Sequence, residues 1–516
     1  THCISSAASD VYKRQDYGDA PVLRSSYRYI ALPPISGGSH EWLAQSEETL
    51  SQVQGNLTLQ HTRQHYFDQP ADAFLHGRIS MSEEVLDGLA TVTNFFYSKA
   101  QAQRADETVL RTVEVLSTSF DNSSKTITRE RSLLNGQPLL ELDDNDVQIA
   151  YVYDKLGRVT EEIVAPGDKD YEARRKYEYV LVAQFGGQAS QTAIDVKGVA
   201  TRSDLDGLQR VVGEWRQDVD GDPQLKPLRQ VYAARYDLFG QLSASDEIDW
   251  LDEETLTLTS TYTYDDWGEQ SGVTGPDGVT AHSQNDPVNF EVQEWRDGVG
   301  RSVTRSNRFD KPDSVERLDL AGKPYSRHEY FYDGLGRTHH EFDALRNLTA
   351  YEYDAFDRMT LNILPDGARV ERRYARHSRE DLPVWIGVNG VVLGEQVFDG
   401  LGRRTGLSVG PRHETYVYKA SQVRPSEHHT AGGHTLLYGY TPHLSSSPTS
   451  LSALDEEARY TYDRANARLT SASNLRGCRE FDYDGCSHLS AERWIENGQT
   501  WSASYSHSRA GRRRSH

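Results

Sequence analysis

A Tyr-Asp pair recurs down this 516-residue chain, and the same residues follow it each time. Tyr151-x-Tyr153-Asp154-x-x-Gly157-Arg158 is the cleanest copy, and Tyr330-x-Tyr332-Asp333-x-x-Gly336-Arg337 repeats it. Further copies are Tyr236-Asp237-x-x-Gly240, Tyr262-x-Tyr264-Asp265-x-x-Gly268, Tyr351-x-Tyr353-Asp354-x-x-x-Arg358 and Phe398-Asp399-x-x-Gly402-Arg403. Looser copies fall at Asp206–Arg210, Asp297–Arg301, Tyr462-Asp463 and Tyr483-Asp484. Tyr332 and Tyr353 are 21 residues apart, as are Tyr462 and Tyr483. Longer gaps hide degenerate copies such as Phe309-Asp310 and Phe342-Asp343. Chance would not hold Gly and Arg in register behind so many pairs, and such a repeat decides the architecture.

Each residue type has a physical part to play. Tyr-x-Tyr has period two, which puts both rings on one face of a strand. The Asp at the strand end can bond backbone groups of the turn that follows. Gly three residues later takes a positive φ without steric cost. Arg then opens the next strand, commonly with Val, Thr or Ser behind it, as in Arg158-Val159-Thr160. The unit is strand, tight turn, strand. Pro276-Asp277-Gly278 and Pro365-Asp366-Gly367 supply hairpin turns between the copies. One hairpin is marginal in water, whereas many laid side by side bury a continuous face. The predicted fold is all-β, a strip of antiparallel hairpins.

These residues resemble the Rhs/YD-repeat family, which includes bacterial Rhs toxins, the B and C components of insecticidal toxin complexes, and animal teneurins. The resemblance covers residues 117–512. It implies a spiral strip that forms part of a hollow shell, a role in enclosing and carrying a C-terminal effector, and delivery from a bacterium. The implied partner is that cargo or a companion toxin-complex subunit. The chain departs from the family in lacking the Asp-Pro-x-Gly element that ends bacterial shells. It also lacks a toxin domain after the repeats.

Residues 16–116 have β-branched and aromatic runs but no clear Tyr-Asp unit. Ser5–Gln15 resembles a translated sequencing adapter, so residues 1–15 are expected to make no ordered contacts. Tyr505-x-His507-Ser508-x-x-Gly511-Arg512 keeps the repeat register with His and Ser in place of the Tyr-Asp pair, and residues 513–516 read as a ragged end. The chain therefore reads as a fragment.

Composition narrows the function classes. Apolar residues make up 36% and the net charge is −21, which suits thin, wetted sheets and repels nucleic acid. No apolar run reaches the ~18 residues of a membrane-spanning helix. Cys478 and Cys486 could pair.

No catalytic, cofactor or metal motif stands above background. The repeated Tyr, Asp, Gly and Arg read as structural because they recur in register, so the chain is expected not to be an enzyme. Asp218-Val219-Asp220-Gly221-Asp222 has a calcium-loop flavour but lacks the twelfth-position Glu. His428, His429 and His434 are metal-ligand types, but Pro425 and Gly432-Gly433 favour a loop. His339 and His340 should point to opposite faces of a strand. The alternative to a shell is an extracellular carbohydrate- or protein-binding module that uses the Tyr-rich faces.

Overall fold

A computed structural model describes residues 20–102, 107–142, 147–182, 186–220, 227–251, 254–420, 422–441, 447–508 and 511–515. The expectation for residues 1–15 lies outside them, as do Asp222 and Gly221. The fold is all-β: among the described residues 39 strands, from β1 (Leu23–Leu32) to β39 (Gln499–Ser504), form one sheet. A two-stranded ribbon follows, β40 (Ser506–His507) with β41 (Arg513–Ser515). Each strand of the large sheet pairs antiparallel with its neighbours in sequence, from β1 with β2 (Trp42–Gln52) through β38 (Leu489–Glu496) with β39. The sheet runs without a break through residues 116 and 117, which lie inside β6 (Thr108–Thr118).

A pure meander places alternate turns on opposite edges of the strip. The predicted repeat turns from Asp154 to Asp484, apart from Asp297–Arg301, fall on one edge, here called the tyrosine edge. The Pro-Asp-Gly turns fall on the other. The strip is thin. Fully buried apolar side chains are few, and one of the best covered, Ile163 (1% exposed), packs with Leu140 and Ala150.

The second aromatic of each unit sits at a β-bulge. Tyr236 pairs with Leu242 while Arg235 pairs with Ala244, which leaves Ser243 unpaired. Ser271, Thr360, Thr405, Thr470 and Ser490 occupy the same place. Several of these hydroxyls donate back across the bulge, Thr160 to the Val152 carbonyl at 3.1 Å and Ser243 to that of Arg235 at 2.9 Å. The Ser or Thr two residues after Arg is thus the bulge residue. Each bulge adds local right-handed twist.

A bulge also corrects the reading of His339 and His340. His339 is the extra residue where Tyr332 pairs with Thr338 and Phe331 with His340. Face alternation breaks there, and the two Nδ1 atoms come to 2.9 Å. His428 and His429 lie in strand β32 (Glu427–His429), not in a loop, because that segment pairs with strands on both sides. Cys478 and Cys486 are both free.

The strip coils back on itself. Arg376 pairs with Asp87, 289 residues earlier. The Gly400 amide donates to Asp121 Oδ2 at 2.6 Å across 279 residues, and the Gly485 amide to Asp220 Oδ1 across 265. Arg464 reaches Asp170 at 3.4 Å, and Phe120 packs on His377 with ring centroids 5.1 Å apart. In each case the tyrosine edge of the later winding seats on the opposite edge of the earlier one.

Candidate functional site: the repeat turn and the seam

Asp154 shows how one turn is built. Its backbone N–H donates to the Arg158 carbonyl, and its own carbonyl accepts from Gly157 N. Its Oδ1 accepts from Leu156 N at 2.8 Å and Arg158 N at 3.0 Å, and its Oδ2 from Arg158 Nε at 2.8 Å. The Arg158 amide and then its guanidinium hold the Asp154 carboxyl below the usual carboxylate range. Gly157 carries φ +78°. Tyr153 donates its hydroxyl to the Pro138 carbonyl at 2.8 Å. One carboxylate thereby satisfies the turn and fixes an arginine.

That arginine locks the next hairpin. Arg158 lies 4.3 Å over the ring of Tyr179, whose hydroxyl returns to the Val159 carbonyl at 2.8 Å. The same step joins Arg210 to Tyr236 and Arg337 to Tyr353. It recurs from Arg358 to Tyr374 and from Arg403 to Tyr418. Arg337 and Asp333 are the most enclosed pair, with side chains 12% and 9% exposed. Arg337 also donates to the Asp354 carbonyl, as Arg210 does to that of Gly240. Desolvation raises the phenol pKa of Tyr153, Tyr179 and Tyr353, so these hydroxyls stay protonated donors.

The other predicted copies vary this plan. Asp237 and Asp265 cap turns whose Gly240 and Gly268 have φ +87° and +84°, but Gln241 and Glu269 stand in the arginine place. Tyr264 donates to the Leu242 carbonyl. Tyr332 donates to the Pro312 carbonyl, and Gly336 has φ +78°. Asp354 holds Arg358, with Asp357 rather than Gly at φ +63°. Asp399 holds Arg403 in the turn that follows Phe398, and Gly402 has φ +75°. The Asp463 turn is one residue longer and ends at Arg468, while Tyr462 donates to the Pro448 carbonyl. Asp484 pairs with His488 in the arginine place, and Tyr483 donates to the Leu469 carbonyl.

Two sequence assignments shift. Asp297–Arg301 is not a repeat turn. It lies on the opposite edge, where Asp297 accepts from Thr280 N and pairs with His282, and Val299 N closes a tighter turn on Arg296. In the Phe309-Asp310 copy the capping residue is Asn307, whose Oδ1 accepts from Phe309 N and Lys311 N. Tyr177-x-Tyr179 and Tyr416-x-Tyr418 are copies that sequence reading missed. They lack Asp, and the Tyr-x-Tyr spacing alone could have found them.

The seam has its own chemistry. The earlier winding contributes carboxylates, among them Asp87, Asp121, Asp170 and Asp220. The later winding contributes arginines and turn amides. Arg376 holds the Asp87 carboxyl below its usual range. Asp218 pairs with Arg229 at 2.7 Å and Asp220 engages the seam, so neither is free for a calcium loop. Three residues that directly follow a turn Asp are close-approach glycines. A Cβ on Gly485 would lie 2.6 Å from Val219 Cγ2, one on Gly334 would lie 3.0 Å from Ala20, and one on Gly400 would collide with Thr118. Gly207 holds the same place in the earlier winding and has nothing within 4 Å.

The fold and these turns define a single-sheet, all-β repeat strip. No protein-family profile matches the chain, and no curated protein does. Among solved structures it is similar to a TcdB2-TccC3-Cdc42 crystal structure, with 13% identity over 96% of this chain and a TM-score of 0.46. A Photorhabdus luminescens Tc holotoxin pore gives 13% identity, 94% coverage and 0.45. A TcdB2-TccC3 crystal structure gives 10%, 94% and 0.36. The chain spans 28%, 27% and 38% of those chains. No helix among the described residues is long and apolar enough to cross a membrane.

Proposed function

We propose that this chain is a non-catalytic wall segment of an Rhs/YD-repeat toxin shell, which encloses an effector and carries it for delivery outside the producing bacterium. The observation that carries this reading is the seam. A strip whose successive windings are joined edge to edge by Asp121 on Gly400 N and Asp220 on Gly485 N makes a curved barrier rather than a flat ribbon. The Asp and Arg of its repeats hold one another and the turn amides, as Asp154 and Arg158 do, which supports a structural part for them. Its partner is an effector in the same reading frame or a companion shell subunit.

The test expresses residues 16–516 and the full reading frame side by side. The fragment is expected to leave a susceptible host cell alive and to show no hydrolase, nuclease or transferase activity. Sequence beyond the wall in the full frame is expected to resist protease until the seam is opened by Gly400→Val. Killing by the fragment alone would overturn the reading.

One observation favours the binding-module alternative. An open concavity of about 560 Å³ lies beside Trp295, whose ring stacks on His282 at 4.9 Å and is covered by Arg301. The ring edge of Trp295, with the polar groups of His282 and Arg301 beside it, can line a site for a sugar. Saccharide binding that disappears in Trp295→Ala would move this reading to first place.

A further inference from the structure

The last repeat changes the edge ladder at two linked positions. In the steps that begin at Arg158, Arg210, Arg337, Arg358 and Arg403, an Asp-held arginine covers the next tyrosine ring. At Asp484 the arginine place holds His488. The following tyrosine place holds His507, on β40. The cation–ring pair becomes two imidazoles with centroids 5.1 Å apart, and the aspartate of the turn is kept.

The three side chains converge. His488 Nδ1 lies 3.0 Å from Asp484 Oδ2, and His507 Nδ1 lies 3.8 Å from the same oxygen. One ligand atom from each residue falls within a 4.8 Å set. His507 Nδ1 is buried and has no hydrogen-bond partner among the described residues, which is a cost a folded chain rarely leaves standing. Gly511 lets the backbone pass over the far side of His488, where a Cβ would lie 2.5 Å from Nε2. Nδ1 is therefore the imidazole atom that His488 offers to the cluster.

We propose that Asp484, His488 and His507 bind a divalent transition-metal ion of the zinc class through one carboxylate oxygen and two Nδ1 atoms. Zinc–ligand bonds of about 2.0–2.2 Å in tetrahedral geometry place ligand atoms about 3.3–3.6 Å apart. The observed 3.0 and 3.8 Å separations bracket that spacing. Two imidazoles and a carboxylate suit zinc and its neighbours rather than calcium or magnesium. The fourth position would be left to water. The ion would satisfy the orphaned nitrogen and clasp the β40–β41 ribbon to the Asp484 turn. That turn already rests on the earlier winding through Gly485 and Asp220.

Titration of the chelator-stripped chain with Zn²⁺ by calorimetry, and with Co²⁺ by visible absorption, tests the site. One ion per chain is expected, with a cobalt d–d band of tetrahedral intensity and a higher melting temperature. The double variant His488→Arg/His507→Tyr restores the Arg–Tyr step of the earlier repeats. It should keep the fold and lose affinity by more than about 100-fold, since loss of outer-shell partners alone costs 10–100-fold. His507→Phe is the second variant if the double one fails to fold, with the same loss expected. His428→Gln/His429→Gln should bind as the parent does. A parent chain that binds no ion at 100-fold excess would overturn the proposal. Unchanged binding in the Asp484-cluster variants would do so as well.

Discussion

The two edges of the strip share one turn and differ in what they do with it. Asp195 and Asp319 on the opposite edge cap turns as Asp154 and Asp333 do on the tyrosine edge, each with one Oδ1 accepting from the amides two and four residues on. On the tyrosine edge the arginine on the second carboxylate oxygen and the tyrosine of the next hairpin recur from turn to turn. On the opposite edge Asp195 and Asp319 have neither, although Asp218, Arg229 and Trp250 build the same step there with tryptophan in place of tyrosine. The Asp-x-x-Gly turn is thus a general way to close these hairpins. The Tyr and Arg are an inter-hairpin lock. At the seam the later winding presents the turn amides of Gly400 and Gly485 and the guanidinium groups of Arg376 and Arg464 from its tyrosine edge, and the earlier winding presents carboxylates from its opposite edge.

The largest expected effect separates the edges directly. Asp333→Ala would remove the turn cap and the carboxylate on Arg337 Nε, leaving the guanidinium only the Asp357 carboxylate at 2.9 Å, and should cost about 2–3 kcal/mol. Asp319→Ala removes the equivalent turn cap on the exposed edge and should cost about 1 kcal/mol. Urea titrations of both variants compare them, and equal losses would mean that the arginine lock adds nothing.

The seam comes next. Gly485→Val drives side-chain atoms into Val219 and should destabilise by about 1–3 kcal/mol. Gly207→Val, at the same motif place with open space around it, should stay within about 0.5 kcal/mol. If the two behave alike in thermal melts, the windings do not touch as described.

A third pair should show no difference between edges. Gly336 and Gly322 have φ +78° and +79°. A β-branched residue is strained there whichever edge it occupies, so Gly336→Val and Gly322→Val should each cost about 1–3 kcal/mol. An unchanged melting temperature in either would contradict the left-handed turn at that place.

The smallest effect is in pH. The Arg210 guanidinium, with its amide, holds the Asp206 carboxyl below the ordinary range. A lowered folded pKa gives stability that is complete above the unfolded value of about 4 and fades as pH falls through the folded value. The stability gap between the parent and Arg210→Met should therefore be widest near neutrality and narrow below about pH 4. A gap constant with pH would rule out the ion pair as its source.

Much of this was readable in advance. Tyr-x-Tyr, Asp and Gly are short-range instructions: ring placement by strand period, an amide cap, a positive φ. Their register along the chain put Tyr153, Tyr332 and Tyr353 in equivalent turns. The bulge was half visible, as the Ser or Thr two places after Arg, but its meaning required the pairing of both strands. Asp297–Arg301 misled because Asp, Gly and Arg at similar spacing close a different turn when no Tyr-x-Tyr precedes them. His428 and His429 misled because Pro425 and the glycines bound a strand of three residues, too short for a pattern.

By itself, then, the sequence determined the strands and the turns that follow a Tyr-x-Tyr, because those depend on neighbours a few residues away. Only the tertiary structure decided that Asp121 meets Gly400, that Asp220 meets Gly485, and that His507 comes beside His488. The meetings across the windings depend on twist and bulge contributions summed over dozens of strands. A small change per hairpin, repeated that often, moves one edge past the other by many residues, and no local motif records the total.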